Sequence, residues 1–139
     1  MTDPASEIRF QSNDYPDESL SIARPEIDSS GFCRTPVTIN AHGLRCAHEV
    51  LMYGNDGLPN FIANLAKDWQ GWTGTRVWEA VEHTLTIEAT HTGRRIELVF
   101  TLHRDIDADA WHVRMPMSIV PDESLKRLAE SAEELFRNA

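Results

Sequence analysis

The chain is poor in cysteine, in basic residues and in long apolar runs. Two cysteines, Cys33 and Cys46, among 139 residues make no disulfide framework. Reduced thiols in a cytoplasmic protein are the expected state. No apolar run approaches the roughly 20 residues of a membrane-spanning helix, so no membrane association is expected. The first residues, Met1-Thr2-Asp3-Pro4-Ala5-Ser6-Glu7, carry neither the basic region nor the apolar stretch of a signal peptide. There are 13 Lys and Arg against 22 Asp and Glu, a net charge of −9. Such a surface repels nucleic-acid phosphates, so direct nucleic-acid binding is disfavoured. The same charge would steer a basic protein partner toward the molecule. Glycine-rich phosphate loops, dinucleotide fingerprints and serine elbows are also missing. No catalytic residue, cofactor or metal site is therefore assigned from sequence, and the balance leans against an enzyme.

What is present describes an ordinary globular chain, with 41% hydrophobic and 25% charged residues. A length of 139 residues favours one domain over 1–139, with residues 1–6 as a loose tail. The acidity is uneven. Residues 1–30 hold seven acidic and two basic residues, and residues 105–139 hold eight and four. The middle of the chain is neutral.

The clearest local pattern runs from Leu58 to Trp78. Leu58, Phe61, Ile62, Leu65, Ala66 and Trp69 recur at helical spacing and form one apolar stripe. Asn55-Asp56-Gly57 supplies a turn, and Pro59 suits a first helical turn. Gly71 is the expected stop. Phe61, Leu65, Trp69, Trp72, Gly74 and Trp78 are read as the joint that locks this helix to the sheet, because large aromatics usually serve cores.

The rest alternates as strands do. Ile8 and Phe10 suggest a first strand, and Leu20 and Ile22 a second that Pro25 interrupts. Residues 34–42 and 44–53 flank a turn at Gly43. Residues 77–91 read as one long strand, Thr92-Gly93 as a hairpin, and 95–103 as the return. Trp111, Val113, Met115, Met117 and Ile119 share the core face of a last strand. Pro121-Asp122-Glu123 opens a C-terminal helix with its own stripe of Leu125, Leu128, Ala129, Ala132, Leu135 and Phe136. The expected fold is α+β, a mostly antiparallel sheet of about five to seven strands, with a central and a C-terminal helix on its apolar face.

Several groups approach chemistry without completing it. His48-Glu49-Val50-Leu51-Met52 starts like a zinc-protease motif, but Met52 stands where the second histidine belongs, and the segment reads as strand. Asp105, Asp107 and Asp109 resemble the start of a calcium loop. Ala110 and Pro116 then replace its glycine and its bidentate glutamate, so a hydrated acidic loop is the simpler reading. His83 and His91, if on one strand, would lie about 27 Å apart and share no metal. Cys33 has no local base to make it a nucleophile. Asp105, Asp107, Asp109 and Trp111 are kept as the candidate partner-binding set, since an aromatic ringed by charge is a common interface composition.

Written as a pattern, Phe61 to Trp78 is F-x3-L-x2-D-W-x-G-W-x-G-x3-W. It resembles a family of short actinobacterial proteins catalogued as a domain of unknown function, number 6228. The likeness covers roughly residues 35–136 and implies a helix, a Trp-led strand, a hairpin, a last strand and a leucine-rich helix. More loosely, the order of elements resembles WapI-type toxin immunity proteins. That second likeness carries no catalytic residues over and implies occupation of a toxin surface.

Three functions follow as expectations. The first is a non-catalytic protein-binding domain, an immunity-like inhibitor that neutralises a bacterial toxin through its acidic surface. The second is a small enzyme or small-molecule-binding domain with a pocket between sheet and helix, near Trp72, Trp78 and the histidines. The third is an accessory module that assembles through an edge strand or the C-terminal helix.

Overall fold

A computed structural model describes residues 6–137, so all but Ser6 of the expected N-terminal tail lies outside the described residues. The strands are β1 (Glu7–Gln11), β2 (Ser19–Ala23), β3 (Glu26–Ile27), β4 (Phe32–Ala41) and β5 (Leu44–Tyr53), followed by helix α1 (Leu58–Lys67). Strands β6 (Thr75–Glu79), β7 (Leu85–His91), β8 (Ile96–His103) and β9 (His112–Ile119) come next, and α2 (Glu123–Leu135) closes the chain. The fold is α+β and its strand pairs are antiparallel. The strands divide into two sheets where one was expected. The first joins β1, β2, β4 and β5, with β3 continuing beside β4; the second is the meander β6-β7-β8-β9.

Pro25 falls between β2 and β3, as the sequence predicts, and Pro36 works against pairing at the same place. Its position in β4 faces the gap between Ile22, which pairs with Val37, and Glu26, which pairs with Arg34. Proline has no N–H for that ladder, so the neighbouring strand breaks there and resumes as β3. The expected long strand 77–91 is likewise two. Residues 80–84 form a tight turn in which the Ala80 N–H bonds the Leu85 carbonyl, and His83 takes a left-handed conformation, φ 58°. His83 therefore leaves the strand and bonds Glu79 in the turn.

The two sheets face each other across one core. Ile8, Phe10, Leu20, Ile22, Val37 and Ile39 from the first meet Ile87, Leu98, Phe100 and Met117 from the second. Phe10 and Phe100 bridge the layers with ring centroids 5.2 Å apart. Ser12, Ala41 and Leu44, at one end of the first sheet, line a shared cleft with Val113–Ser118 of β9. Strand β5 in turn passes the loop ends of the second sheet, touching Arg104 through His48, while Asp56 just beyond it holds Trp78 and Val81.

The helices pack on each other, and α2 also covers β1. Leu58, Ile62 and Leu65 of α1 and Leu125, Ala129, Ala132 and Leu135 of α2 are the buried faces. Asp122 caps α2, accepting from the Ser124 N–H at 2.9 Å. The Ser124 hydroxyl and then its N–H hold the Asp122 carboxyl below the usual range. A lowered folded pKa contributes stability that is full above the unfolded value, near 3.8, and fades as pH falls through the lowered value. Asp122→Ala is expected to cost about 1 kcal/mol at neutral pH. Urea melts of both proteins should differ by less as the pH drops below that of a free carboxylate.

Candidate functional site

The loop between β8 and β9 holds the sequence-selected acidic set. Its strand ends are tied by the Arg104 N–H to the Trp111 carbonyl at 3.0 Å. The Asp105 carboxylate accepts from the Asp107 N–H at 2.8 Å, and the Asp107 carboxylate from the Asp109 N–H at 3.0 Å. The Ala110 N–H bonds the Asp107 carbonyl, and Arg104 Nε reaches Asp105 Oδ2 at 3.0 Å. Short aspartates fold such loops by satisfying backbone N–H groups two residues on. The Asp107 N–H first, and the Arg104 guanidinium next, hold the Asp105 carboxyl below its ordinary range.

Strand β5 anchors the loop from beneath. His48 Nε2 lies 2.7 Å from the Arg104 carbonyl and, facing an acceptor, carries the proton. The same ring meets Trp111 edge-on at 5.3 Å. Trp111 stays 42% exposed, and Ile106 of the same loop 70%. The alternation places Trp111 on the core face, but β9 begins one residue later, at His112. The indole therefore leans on His48 at the rim. His103 and His112 pair across the strands just inside, with rings 5.3 Å apart. Among the described residues, no group of three or more His, Cys, Asp or Glu side chains could hold a metal ion.

The Trp-rich stretch is a joint, with one correction. Trp78 is buried and donates Nε1–H to the Asp56 carbonyl at 2.8 Å. Leu65 is buried, Phe61 partly so. Trp72 donates to the Ala89 carbonyl, lies under the Arg76 guanidinium at 4.7 Å and meets His91 edge-on. Arg76 also bonds the Asn64 carbonyl and Asp68, closing the end of α1. His91 donates Nε2–H to the Trp69 carbonyl and accepts the Gly93 N–H at Nδ1. Gly74, φ 81°, makes the reversal that an L residue resists. Trp69 is the exception, 47% exposed. Helix α1 ends at Lys67, four residues before the expected stop at Gly71. The apolar stripe is therefore broken before Trp69, which turns outward.

That outward tryptophan lines a groove of about 790 Å³ between α1 and α2. Ala63, Ala66 and Ala129 contribute small apolar side chains, with Lys67, Lys126 and Glu130 among its charged ones. A second cavity of about 510 Å³ lies between β1 and α2. Neither is lined by Trp72, Trp78 or a histidine, where a sheet–helix pocket was expected. Cys33 is a buried free thiol whose pKa is raised by burial and then by Asp28 and Asp56, the reverse of an activated nucleophile.

A family model described as a family of unknown function (DUF6228) matches residues 2–139. The chain belongs to that family. No curated protein and no solved structure matches it. In this DUF6228 member, Trp72 and Trp78 tie the segment around α1 to the meander through bonds to Ala89 and Asp56. Sequence reasoning missed the α1–α2 groove, whose only signal was a pair of helices rich in alanine on one side.

Proposed function

We propose that this protein is a non-catalytic protein-binding domain whose Asp105–Trp111 face engages a basic protein partner. The finer reading is an immunity-type inhibitor that occupies a bacterial toxin. One observation carries it: the half-exposed Trp111 meets His48 edge-on at the end of a loop that exposes Ile106, Asp105, Asp107 and Asp109. An aromatic anchor within a charged rim is the usual composition of a binding hot spot. The Asp105 and Asp107 carboxylates are held by backbone N–H groups of the loop, so for these two little ordering entropy remains to be lost on binding. A nuclease toxin would offer a basic groove made for phosphates, and these carboxylates suit such a groove. The overall charge of −9 would speed the encounter.

The test is co-expression with the product of the gene immediately upstream. Capture that weakens as salt rises, and that is lost in the combined Asp105→Asn, Asp107→Asn and Asp109→Asn variant, is the expected outcome. Capture indifferent to both would remove the acidic face from the account.

A small-molecule site has one observation in its favour, the groove beside Trp69. Its volume falls within the roughly 300–1,000 Å³ of ligand pockets. An apolar compound that raises the melting temperature of the wild type but not of Trp69→Ala would favour it. A shift equal in both proteins would count against it.

A further inference from the structure

The four outer edges of the two sheets are not treated alike. Strand β1 is covered by α2. Strand β6 has five residues. In β9 the Arg104–Trp111 bond sets the phase, so His112, Arg114, Pro116 and Ser118 present their backbone outward. Pro116 has no N–H to offer, and the Ser118 carbonyl is taken by the Asn13 N–H. Proline, shortness and cover are the usual means of blunting an edge.

Strand β5 has none of them. Its ten residues pair with β4 without a bulge, from Leu44↔Ala41 to Tyr53↔Phe32. The two-residue turn at His42-Gly43 and the bond from the Gly54 N–H to the Gly31 carbonyl set the same phase. Residues 44, 46, 48, 50 and 52 bond β4. Arg45, Ala47, Glu49, Leu51 and Tyr53 turn their backbone to the open side. The Tyr53 N–H is taken by the Asp56 carboxylate. Among the described residues, no other strand or loop bonds the N–H groups of Arg45, Ala47, Glu49 and Leu51.

We propose that a second copy of this chain pairs antiparallel with the outer edge of β5, about a twofold axis at Ala47, making one continuous sheet across two protomers. The outward side chains select this register. With Ala47 opposite Ala47 of the other copy, Arg45 faces Glu49 and Glu49 faces Arg45. No other twofold register sets these opposite charges face to face. Registers centred on Arg45 or on Glu49 oppose like charges, which is destabilising across strands. The interface is isologous, closes on itself, and leaves no further open edge of this length. Against it works the like charge of the two Asp105–Asp109 loops, which hang from His48 near the axis. Physiological salt screens that repulsion beyond about 8 Å. A single strand pair is a small interface, so the dimer belongs to the weak, reversible class. The proposal does not rest on the acidic-face reading.

The experiment is sedimentation velocity over three decades of protein concentration near physiological salt, on wild type and three variants. Ala47→Pro removes an N–H that the protomer itself does not use, so the fold is retained while the edge is closed. Glu49→Arg sets Arg against Arg twice and is expected to weaken the dimer about tenfold or more. The exchange Arg45→Glu with Glu49→Arg restores the complement and should return most of the wild-type association. Should Ala47→Pro fail to fold, the charge exchange still decides. A wild type that is monomeric at every concentration overturns the proposal, as does a dimer unaffected by Glu49→Arg.

Discussion

Trp78→Ala is expected to lower stability by about 3–5 kcal/mol, the range for large aromatic truncations in a packed core. The side chain is almost fully buried, faces the two-sheet core from β6, and donates to the Asp56 carbonyl at 2.8 Å. That carbonyl belongs to the turn leading into α1, so one indole joins the second sheet to the helix. Truncation leaves both a cavity and an unpaired carbonyl. Trp69→Ala is the internal control. Its side chain is 47% exposed beyond the end of α1, and the expected cost is below about 1 kcal/mol. Chemical denaturation of the two variants measures both. Equal losses would mean that the joint extends through Trp69 after all.

Trp111→Ala should cost binding and spare the fold. Hot-spot aromatics contribute about 2 kcal/mol or more on truncation, roughly 30-fold in affinity. Trp111 is half-exposed and its ring rests on one partner, His48. The loop keeps its shape through aspartate-to-backbone bonds that do not involve the indole. Affinity for the co-purifying partner and the urea midpoint separate the two effects. A variant with unchanged affinity would move the binding face elsewhere, and the groove beside Trp69 would be the next surface to probe.

The strands were legible where one face is buried and the other wet. Val37 and Ile39, and the run from Ile96 to Leu102, alternate cleanly because a half-buried antiparallel ladder demands it. The two helices and the turn at Thr92-Gly93 were legible for equally local reasons. The division into two sheets was not. It depends on which hydrophobic faces meet, and alternation within a strand says nothing of that. The break at residues 80–84 was hidden because no glycine or proline marks it, the left-handed position falling on His83. Trp69 was misplaced for a related reason. Helical spacing extends a stripe on paper, while Arg76, from the next strand, closes the helix at its end. The acidic loop was found by composition alone, and its anchor His48 was seen only as half of a failed metal motif. The α1–α2 groove depends on how two helices pack, which neither helix encodes alone.

The central claim is that a partner covers the Asp105–Trp111 face. Amide hydrogen exchange of the protein with and without its co-purifying partner tests it most directly. The account predicts new protection concentrated in residues 104–112, with the Trp-rich joint at 71–78 unchanged. Protection confined to the α1–α2 groove, with 104–112 exchanging as in the free protein, would contradict it.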